Sequence, residues 1–179
     1  MSSLHHTKTY QNLQTAYMMK SEISSQYAYY AEQAKKEGYE QISGWFSLLA
    51  AQEREHAKVW YKLLYDGMGS TKENVERALE IETEISDCQY VAFAEQAQDE
   101  GFDQIASLYE KIAQISKNRI RNLSLLKQAI ETQNIFEQEQ SVLWICRNCG
   151  YIQVGVQAPM QCPVCTKPQA YFQLASDEV

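Results

Sequence analysis

The sequence predicts a mainly α protein in which a four-helix bundle, made from a duplicated helical hairpin, precedes a small metal-binding β module. The segment Ala31–Ile42 returns as Ala94–Ile105, an offset of 63 residues. All three prolines follow residue 158, so residues 1–133 lack the strongest helix breaker. Four of the five cysteines lie in the last 34 residues, in two closely spaced pairs. These three observations predict a helical domain followed by a metal-binding domain.

Each copy of the repeat predicts two antiparallel helices joined by a short turn. A long helical pattern ends at Gly38 in the first copy and at Gly101 in the second, and glycine suits a left-handed helix cap. Apolar residues spaced three and four apart resume directly afterwards. The predicted helices cover residues 8–37, 40–66, 72–100 and 103–132. The predicted domains are a bundle at 1–133, a linker at 134–141 that is rich in Gln and Glu, and a module at 142–179.

The cysteine pairs Cys146/Cys149 and Cys162/Cys165 are each spaced Cys-x-x-Cys and are separated by twelve residues. Four thiolates in this arrangement can surround one iron or zinc ion tetrahedrally. Two disulfides are the less favoured alternative, because the chain shows no secretory signal. The segment from 144 to 172 resembles rubredoxin, which implies an iron tetrathiolate that carries one electron. A zinc ribbon with the same spacing stays open.

The charge of the chain restricts its partners. A net charge of −7 and a pI near 5.0 argue against nucleic acid or an anionic membrane surface as the partner. No apolar run approaches the roughly 18 residues that a membrane span needs. We therefore expect a soluble, cytoplasmic protein that binds neither nucleic acid nor membrane.

The second predicted helix contains Glu53 and His56, a Glu-x-x-His pair that lies on one helical face and can bind a metal. This pair alone is a weak signal. Together with the duplication, the phrase at 34–42 and the cysteine module, it makes the whole chain resemble rubrerythrin. The resemblance implies a ferritin-like bundle that holds two irons and reduces hydrogen peroxide with electrons from a rubredoxin-like centre.

Part of the ligand pattern that the resemblance implies is present in this chain. Glu53 and His56 match the second helix, and Glu82 matches the first acid of the third helix. Tyr27 and Tyr90 stand where the family places tyrosines beside the iron ligands. These residues could form a remnant of the di-iron site.

The other ligand positions are replaced. Lys20 stands at the glutamate of the first helix, and Ile85 stands at the second acid of the third helix. Ser116 and Arg119 stand where the fourth helix would supply Glu and His, and they are also the residues that the internal repeat aligns with Glu53 and His56. Lys and Arg offer hydrogen-bond donors and fixed positive charge instead of electron pairs. We therefore expect no di-iron centre, so it is uncertain whether the chain keeps the family's enzymatic activity.

Two interpretations of the altered site remain open. In the first, Lys20 and Arg119 take the place of the irons and pair with Glu53 and Glu82, and the two tyrosines hydrogen-bond to the same carboxylates. In the second, a π-type bulge shifts the helix register so that another acid turns inward and a mononuclear site survives. That acid would be Glu22 or Glu84, and the other ligands would be Glu53, His56 and Glu82.

Two further features invite a metal or redox role. Cys88 could be a reactive thiol beside the altered site, but a lone cysteine on a helix is more often a small buried hydrophobic residue. His5 and His6 precede the first helix and are interpreted as a solvated tail.

The loop between the second and third helices bears on assembly. Its seven residues, 65–71, extend over about 23 Å at most, whereas a return along a helix of about 25 residues needs close to 37 Å. A ferritin-like crossover within one chain is therefore disfavoured. The alternative is a homodimer in which hairpin 1–66 of one chain packs against hairpin 72–132 of the other.

Three functions follow from the sequence. The favoured one is an electron-transfer protein with an intact rubredoxin-like iron centre and an unknown redox partner. The second is a peroxide reductase with a remodelled metal site. The third is a structural or regulatory relative that is not an enzyme and holds zinc in the tetrathiolate.

Overall fold

The computed structural model describes residues 4–132 and 134–175, which form two compact units, Met1–Ser70 and Thr71–Val179. Their elements confirm a mainly helical chain that ends in a small three-stranded sheet. None of the helices among the described residues is long and apolar enough to cross a membrane.

The first unit is an antiparallel hairpin of α1 (Lys8–Lys36) and α2 (Glu40–Leu64). The helix α1 begins where the Thr7 side chain accepts a hydrogen bond from the Tyr10 N–H at 3.1 Å, satisfying one of the free donors of the first turn. The two helices are also joined by hydrogen bonds. The Ser43 hydroxyl donates to the Ala31 carbonyl at 2.9 Å.

The turns inside the two repeat segments have the geometry predicted for a glycine cap. Gly38 has φ +85° and Gly101 has φ +81°, in the left-handed region that favours glycine. The Tyr39 N–H donates to the Ala34 carbonyl at 2.9 Å, and the Phe102 N–H donates to the Ala97 carbonyl at 2.7 Å. These bonds satisfy carbonyls that the helix end leaves free, so each turn reverses the chain within three residues.

The second unit begins with a helical hairpin whose first arm is interrupted. This arm consists of α3 (Thr71–Glu84), a π-helical segment (Ile85–Gln89) and α4 (Tyr90–Asp99), where one continuous helix over 72–100 was expected. The second arm is α5 (Asp103–Glu131). The π-helical segment adds one residue to a turn, and this changes which residues of α3 face α5.

Small residues form the buried contacts between the helices of each hairpin, whereas many large apolar side chains stay exposed. The buried alanines are Ala31, Ala34, Ala57, Ala94, Ala97, Ala106 and Ala113. Small side chains allow the two backbones to approach closely. The large side chains must then be covered by another surface or remain in contact with water.

The C-terminal sheet has strand order β2-β1-β3, with β1 (Glu137–Cys146) antiparallel to β2 (Ile152–Gln157) and β3 (Phe172–Leu174). The strand β1 begins at Glu137, which pairs with Gln157. Residues 137–141, assigned to the linker from their Gln and Glu content, are therefore strand. Local composition did not reveal this because the partner strand lies further along the chain.

Candidate metal centre and the altered helical site

The four cysteines lie in two turns that close in the same way. Cys146 ends β1, and its carbonyl accepts a hydrogen bond from the Gly150 N–H at 2.8 Å. The Cys162 carbonyl accepts one from the Thr166 N–H at 2.9 Å. Gly150 has φ +77° and Thr166 has φ +58°, so both turns use a left-handed residue directly after the second cysteine. Glycine after the second cysteine is a turn signal in the sequence, whereas no residue type marks Thr166 for the same role.

The sulfur atoms are placed as a tetrahedral metal site requires. The four Sγ atoms lie within 4.8 Å of one another, with 3.7 Å between Cys146 and Cys165 and 3.6 Å between Cys149 and Cys162. A tetrahedral ion with metal–sulfur bonds of about 2.3 Å would separate its sulfurs by about 3.8 Å. A disulfide needs about 2.05 Å, so the disulfide alternative is excluded for these pairs.

The electrostatics of the cluster also suit a cation. Hydrogen bonding, first from the Lys167 backbone, lowers the pKa of Cys165 to about 6. The Tyr151 backbone lowers the pKa of Cys149, but burial and the neighbouring sulfurs outweigh it and raise that pKa to about 12. Four thiols this close cannot all ionise against their mutual repulsion. A bound cation would allow all four to become thiolates.

A compact core supports the metal-binding side of the module. Trp144 is fully buried, and its Nε1–H donates to the Gly155 carbonyl at 3.0 Å. Phe172 and Ala158 are buried beside it, with Phe136 partly buried against them. Ala158 and Phe136 belong to no motif that would single them out in the sequence. Because this core also contains Cys146 and Cys162, metal binding and folding of the module depend on the same contacts.

In the first hairpin, the carboxylate of Glu53 is engaged by a lysine of the neighbouring helix. Lys20 Nζ lies 2.7 Å from Glu53 Oε2, and His56 Nδ1 lies 3.4 Å from the same oxygen. Only 16% of the Glu53 side chain is exposed. The hydrogen bond from Lys20, with a smaller one from His56, holds the pKa of Glu53 below its usual value. The carboxylate is therefore ionised and bound to a cation of the protein itself.

The second hairpin repeats this arrangement with the charges exchanged between helices. Arg119 Nη1 on α5 lies 3.1 Å from Glu82 Oε1 on α3. The Glu82 side chain is 16% exposed, and its second oxygen, Oε2, is buried with no hydrogen-bond partner among the described residues. Ser116 is buried. The prediction that Lys20 and Arg119 pair with Glu53 and Glu82 is confirmed.

The two tyrosines behave differently from the prediction. Tyr27 contacts the rings of Tyr30 and Phe46, and Tyr90 contacts those of Phe93 and Tyr109. The two triads correspond at the repeat offset of 63. Within residues 4–132, neither hydroxyl donates a hydrogen bond to the carboxylate of Glu53 or of Glu82. Ring packing is what the structure shows for both residues.

The π-helical segment explains a change in the repeat offset. Tyr27 and Tyr90 differ by 63 positions, whereas Lys20 and Glu82, which make the corresponding interhelical ion pairs, differ by 62. The extra residue falls between 82 and 90, where the Tyr90 N–H donates to the Ile85 carbonyl and closes a π turn. This change of offset is a sequence signal that would have located the π segment.

The acids of the register-shift interpretation stay at the surface of their hairpins. Glu22 is exposed and accepts a hydrogen bond from Gln26 of the same helix at 3.0 Å. Glu84 is exposed and directly precedes the π segment.

Cys88 is an exposed free thiol on the π segment, so its interpretation as a buried hydrophobic residue is wrong. His5 and His6 are exposed, as a solvated tail would be.

Comparison with known proteins identifies the family. The family model described as "Rubrerythrin" matches residues 11–114, and that described as "Rubrerythrin, rubredoxin-like domain" matches residues 144–173. The chain belongs to the rubrerythrin family.

Individual relatives extend this likeness over nearly the whole chain. The rubrerythrin of Porphyromonas gingivalis is 40% identical over 96% of this chain and 92% of its own length. Rubrerythrin-1 of Clostridium acetobutylicum is 38% identical over 99% of both chains. The solved structure of partially reduced nigerythrin is 22% identical, covers 97% of this chain and 90% of that chain, and has a TM-score of 0.37. Family membership and the four-cysteine site support a general iron-binding redox function.

Proposed function

We propose that this chain is an electron-transfer member of the rubrerythrin family that has lost the di-iron centre of its helices. The cysteine module would hold one iron. The observation that carries the proposal is the pair of interhelical ion pairs, in which Lys20 and Arg119 engage Glu53 and Glu82.

The ion pairs oppose metal binding in two ways. Each carboxylate that would ligate iron already accepts a hydrogen bond from a cation, and Lys and Arg have no electron pair to offer a metal. The charges also cancel. With His56 neutral, the two acids and two bases sum to zero, whereas a di-iron site needs a surplus of carboxylates.

The donor set of the module fits an iron tetrathiolate, which when bound would carry one electron by changing between ferric and ferrous forms. The protein gives its two sides different environments. Cys146 and Cys162 are buried beside Trp144, which keeps water from that side of the site. Cys149 is exposed and Cys165 is partly exposed. The exposed side offers a short path for an electron to a docked molecule.

Metal content and colour test this proposal. We expect purified chain to contain about one iron and to show the visible absorption of a ferric tetrathiolate, which dithionite bleaches. Stoichiometric zinc in a colourless protein would instead support the structural alternative. Three irons per chain would contradict the loss of the helical site.

A peroxide reductase with a remodelled site is the second candidate, favoured by the π segment and by the unpaired Glu82 Oε2. Both features occur where helices bind metals. Replacing Cys146 by Ser removes one thiolate ligand, so iron kept by a variant that has lost the visible colour of the tetrathiolate would be helical. Retained iron together with peroxide consumption would favour this candidate.

We also propose that two chains complete the bundle by exchanging hairpins. One face of α2 and the corresponding face of α5 carry large, exposed apolar side chains, related by the repeat offset. The matched pairs are Ile42 and Ile105, Trp45 and Leu108, and Leu63 and Leu126. His56 and Arg119 lie on the same faces. Each hairpin therefore presents a similar apolar face that another hairpin could cover.

The connection between the hairpins favours exchange between chains. Six residues, 65–70, separate α2 from α3, and fully extended they reach about 21 Å, whereas the 25 residues of α2 span about 37 Å.

Cross-linking of mixed isotope-labelled and unlabelled chains would test the exchange. We expect links between residues 40–64 and 103–131 to join a labelled to an unlabelled peptide in about half of all cases. Links that only ever join peptides of the same label would show that both hairpins come from one chain.

A further inference from the structure

The acidic residues of this chain are distributed unevenly. Residues 1–139 contain 21 acids and 14 bases, which matches the acidic character of the whole chain. Residues 140–175 contain two bases, Arg147 and Lys167, and no acid at all. Within residues 140–175 the charge is therefore opposite in sign to that of residues 1–139 before any metal is counted, and the two remaining acids of the chain are Asp177 and Glu178.

Both bases lie in the cysteine turns. Arg147 follows Cys146, and its backbone N–H donates to the Tyr171 carbonyl at 2.8 Å. Lys167 closes the second turn, where its carbonyl accepts a hydrogen bond from the Cys162 N–H at 2.8 Å. The Lys167 Nζ atom lies 5.0 Å from the centroid of the Tyr171 ring. The two bases thus lie on the two loops that carry the cysteines, with Arg147 exposed and Lys167 partly buried.

Among the described residues, the acid nearest to the cysteines in the sequence is Glu139. It lies seven residues before Cys146 on β1, a distance of about 23 Å along an extended strand. The strand β3 runs from Phe172, paired with Cys146, to Leu174, paired with Trp144, and so leaves the cysteines. Asp177 and Glu178 lie outside the described residues.

The surface around the exposed cysteines is also apolar. Val164, inside the second cysteine turn, is 65% exposed, and Met160 is 73% exposed. We call the surface formed by residues 147–150 and 163–167 the cysteine face. It combines exposed sulfur, apolar side chains and two cations, which is the composition of a small, transient docking site.

We propose that the cysteine face is the entry site for electrons and that it docks an acidic electron-donor protein. This inference rests on the proposed electron-transfer function. An iron tetrathiolate carries one net negative charge in its ferric form, so the two cations leave the face positive when it must receive an electron. Docked donor and ferric centre then exchange one electron. The donor is oxidised, the iron becomes ferrous, and no bond forms or breaks.

Charge complementarity favours this occupant over others. An overall net charge of −7 would repel an acidic protein, so a locally positive face directs such a partner to the cysteines and away from the helices. A basic donor would be attracted to the acidic helices instead. A second copy of this chain, docking through its acidic helices, is the other occupant that the test must distinguish.

A plant-type [2Fe–2S] ferredoxin is a suitable probe, because it is acidic and its low potential drives reduction of a ferric tetrathiolate. In the iron-loaded chain, we expect reduction by this ferredoxin, followed as bleaching in a stopped-flow instrument, to slow as salt is added. Two proteins that met only through their net charges would react faster with salt.

Charge reversal on the face is compared with reversal elsewhere. The variant with Arg147→Glu and Lys167→Glu should be slower by about tenfold or more at low salt. The variant with Lys36→Glu and Lys111→Glu has the same net charge on exposed helical positions, and it should be slowed by less than about twofold. If Arg147→Glu impairs folding, Arg147→Gln with Lys167→Gln should give an intermediate rate with an unchanged visible spectrum.

Binding is measured independently of iron. In zinc-loaded chain titrated with oxidised ferredoxin, the amide signals of residues 147–150 and 163–167 should shift, and the reversed variant should lose these shifts. Equal rates in both reversal variants, or shifts confined to the helices, would overturn the proposal. Salt-dependent self-association that disappears in the face variant would assign the face to a second copy. A native protein without iron would contradict the proposed function, while the zinc titration would still test the face.

Discussion

The positions His56 and Arg119 show how single residues change the chemistry of a repeated scaffold. They correspond at the repeat offset, yet one can bind a metal and the other brings a permanent positive charge. In hairpin one the cation comes from Lys20 on α1, and in hairpin two it comes from α5. Each acid thus has one cation within its own hairpin, and the hairpin needs no metal to neutralise it.

Replacing Lys20 by Met should destabilise the first hairpin. Glu53 would lose its closest cation while staying mostly covered, which we expect to cost about 1–2 kcal/mol of the free energy of unfolding. The full cost of an unpaired, wholly buried acid is not expected, because 16% of this side chain is exposed. Urea unfolding followed by circular dichroism measures the change.

Lys58→Met is the matched control, since Lys58 pairs with the exposed Glu55 on the same helix at 2.6 Å. We expect it to change stability very little. An equal loss in both variants would show that the Lys20 pair is no more than a surface contact.

The same pair predicts a pH dependence. Because Lys20 lowers the pKa of Glu53 from 4.5, the pair stabilises the folded chain above about pH 4.5, and this contribution is lost as the pH falls through the lowered value. The difference in unfolding free energy between the native chain and Lys20→Met should therefore be constant near neutrality and shrink in acid. A difference that persists at pH 2 would disagree with a charge interaction.

At the scale of elements, the cysteine turns and the strands that carry them act as one unit. Cys146 ends β1, Phe172 starts β3, and both lie in the core around Trp144. So few buried residues cannot stabilise a module of this size without the bound ion.

Cys146→Ser should remove the visible colour and leave the strands β1, β2 and β3 disordered. Loss of dispersed amide signals from residues 137–174 in NMR spectra, with the helical circular dichroism retained, is the expected result. Cys88→Ser is the control, because this exposed thiol lies on the π segment away from the module. A folded, coloured Cys146→Ser protein would show that three cysteines suffice.

The third helical arm shows how an element can accommodate an inserted residue. The π turn after Glu84 accommodates one extra residue, so that Glu82 faces Arg119. Tyr90 nevertheless contacts the two aromatic rings that correspond, at the repeat offset, to the partners of Tyr27. The two functional faces of one arm can therefore be placed independently.

At the scale of the whole molecule, the loss of metal ligands should be reversible. Exchanging Lys20→Glu, Ile85→Glu, Ser116→Glu and Arg119→His together should raise the iron content from about one to about three per chain in the assembled bundle. The reason is that four ligands return and two positive charges leave. Iron and zinc are measured by elemental analysis after reconstitution.

A triple variant that retains Arg119 is the control, and we expect it to stay near one iron per chain. If the native chain already binds three irons, the ion pairs described here do not exclude metal.

The parts of this protein that depend on local spacing could be predicted from the amino-acid sequence. Two Cys-x-x-Cys pairs suffice for a tetrathiolate, and glycines at 38 and 101 suffice to end their helices, since both effects act within a few residues. The exchange of ligands for cations was also visible, because the internal repeat supplies its own comparison.

Which side chains meet across helices and strands became clear only from the folded chain. The pairing of Lys20 with Glu53 and of Arg119 with Glu82 depends on the register between helices, and the π segment alters that register by one residue. The exposure of Cys149 beside buried Cys146 depends on how three strands pack. Such features follow from contacts between residues distant in the chain, which local pattern and composition do not specify.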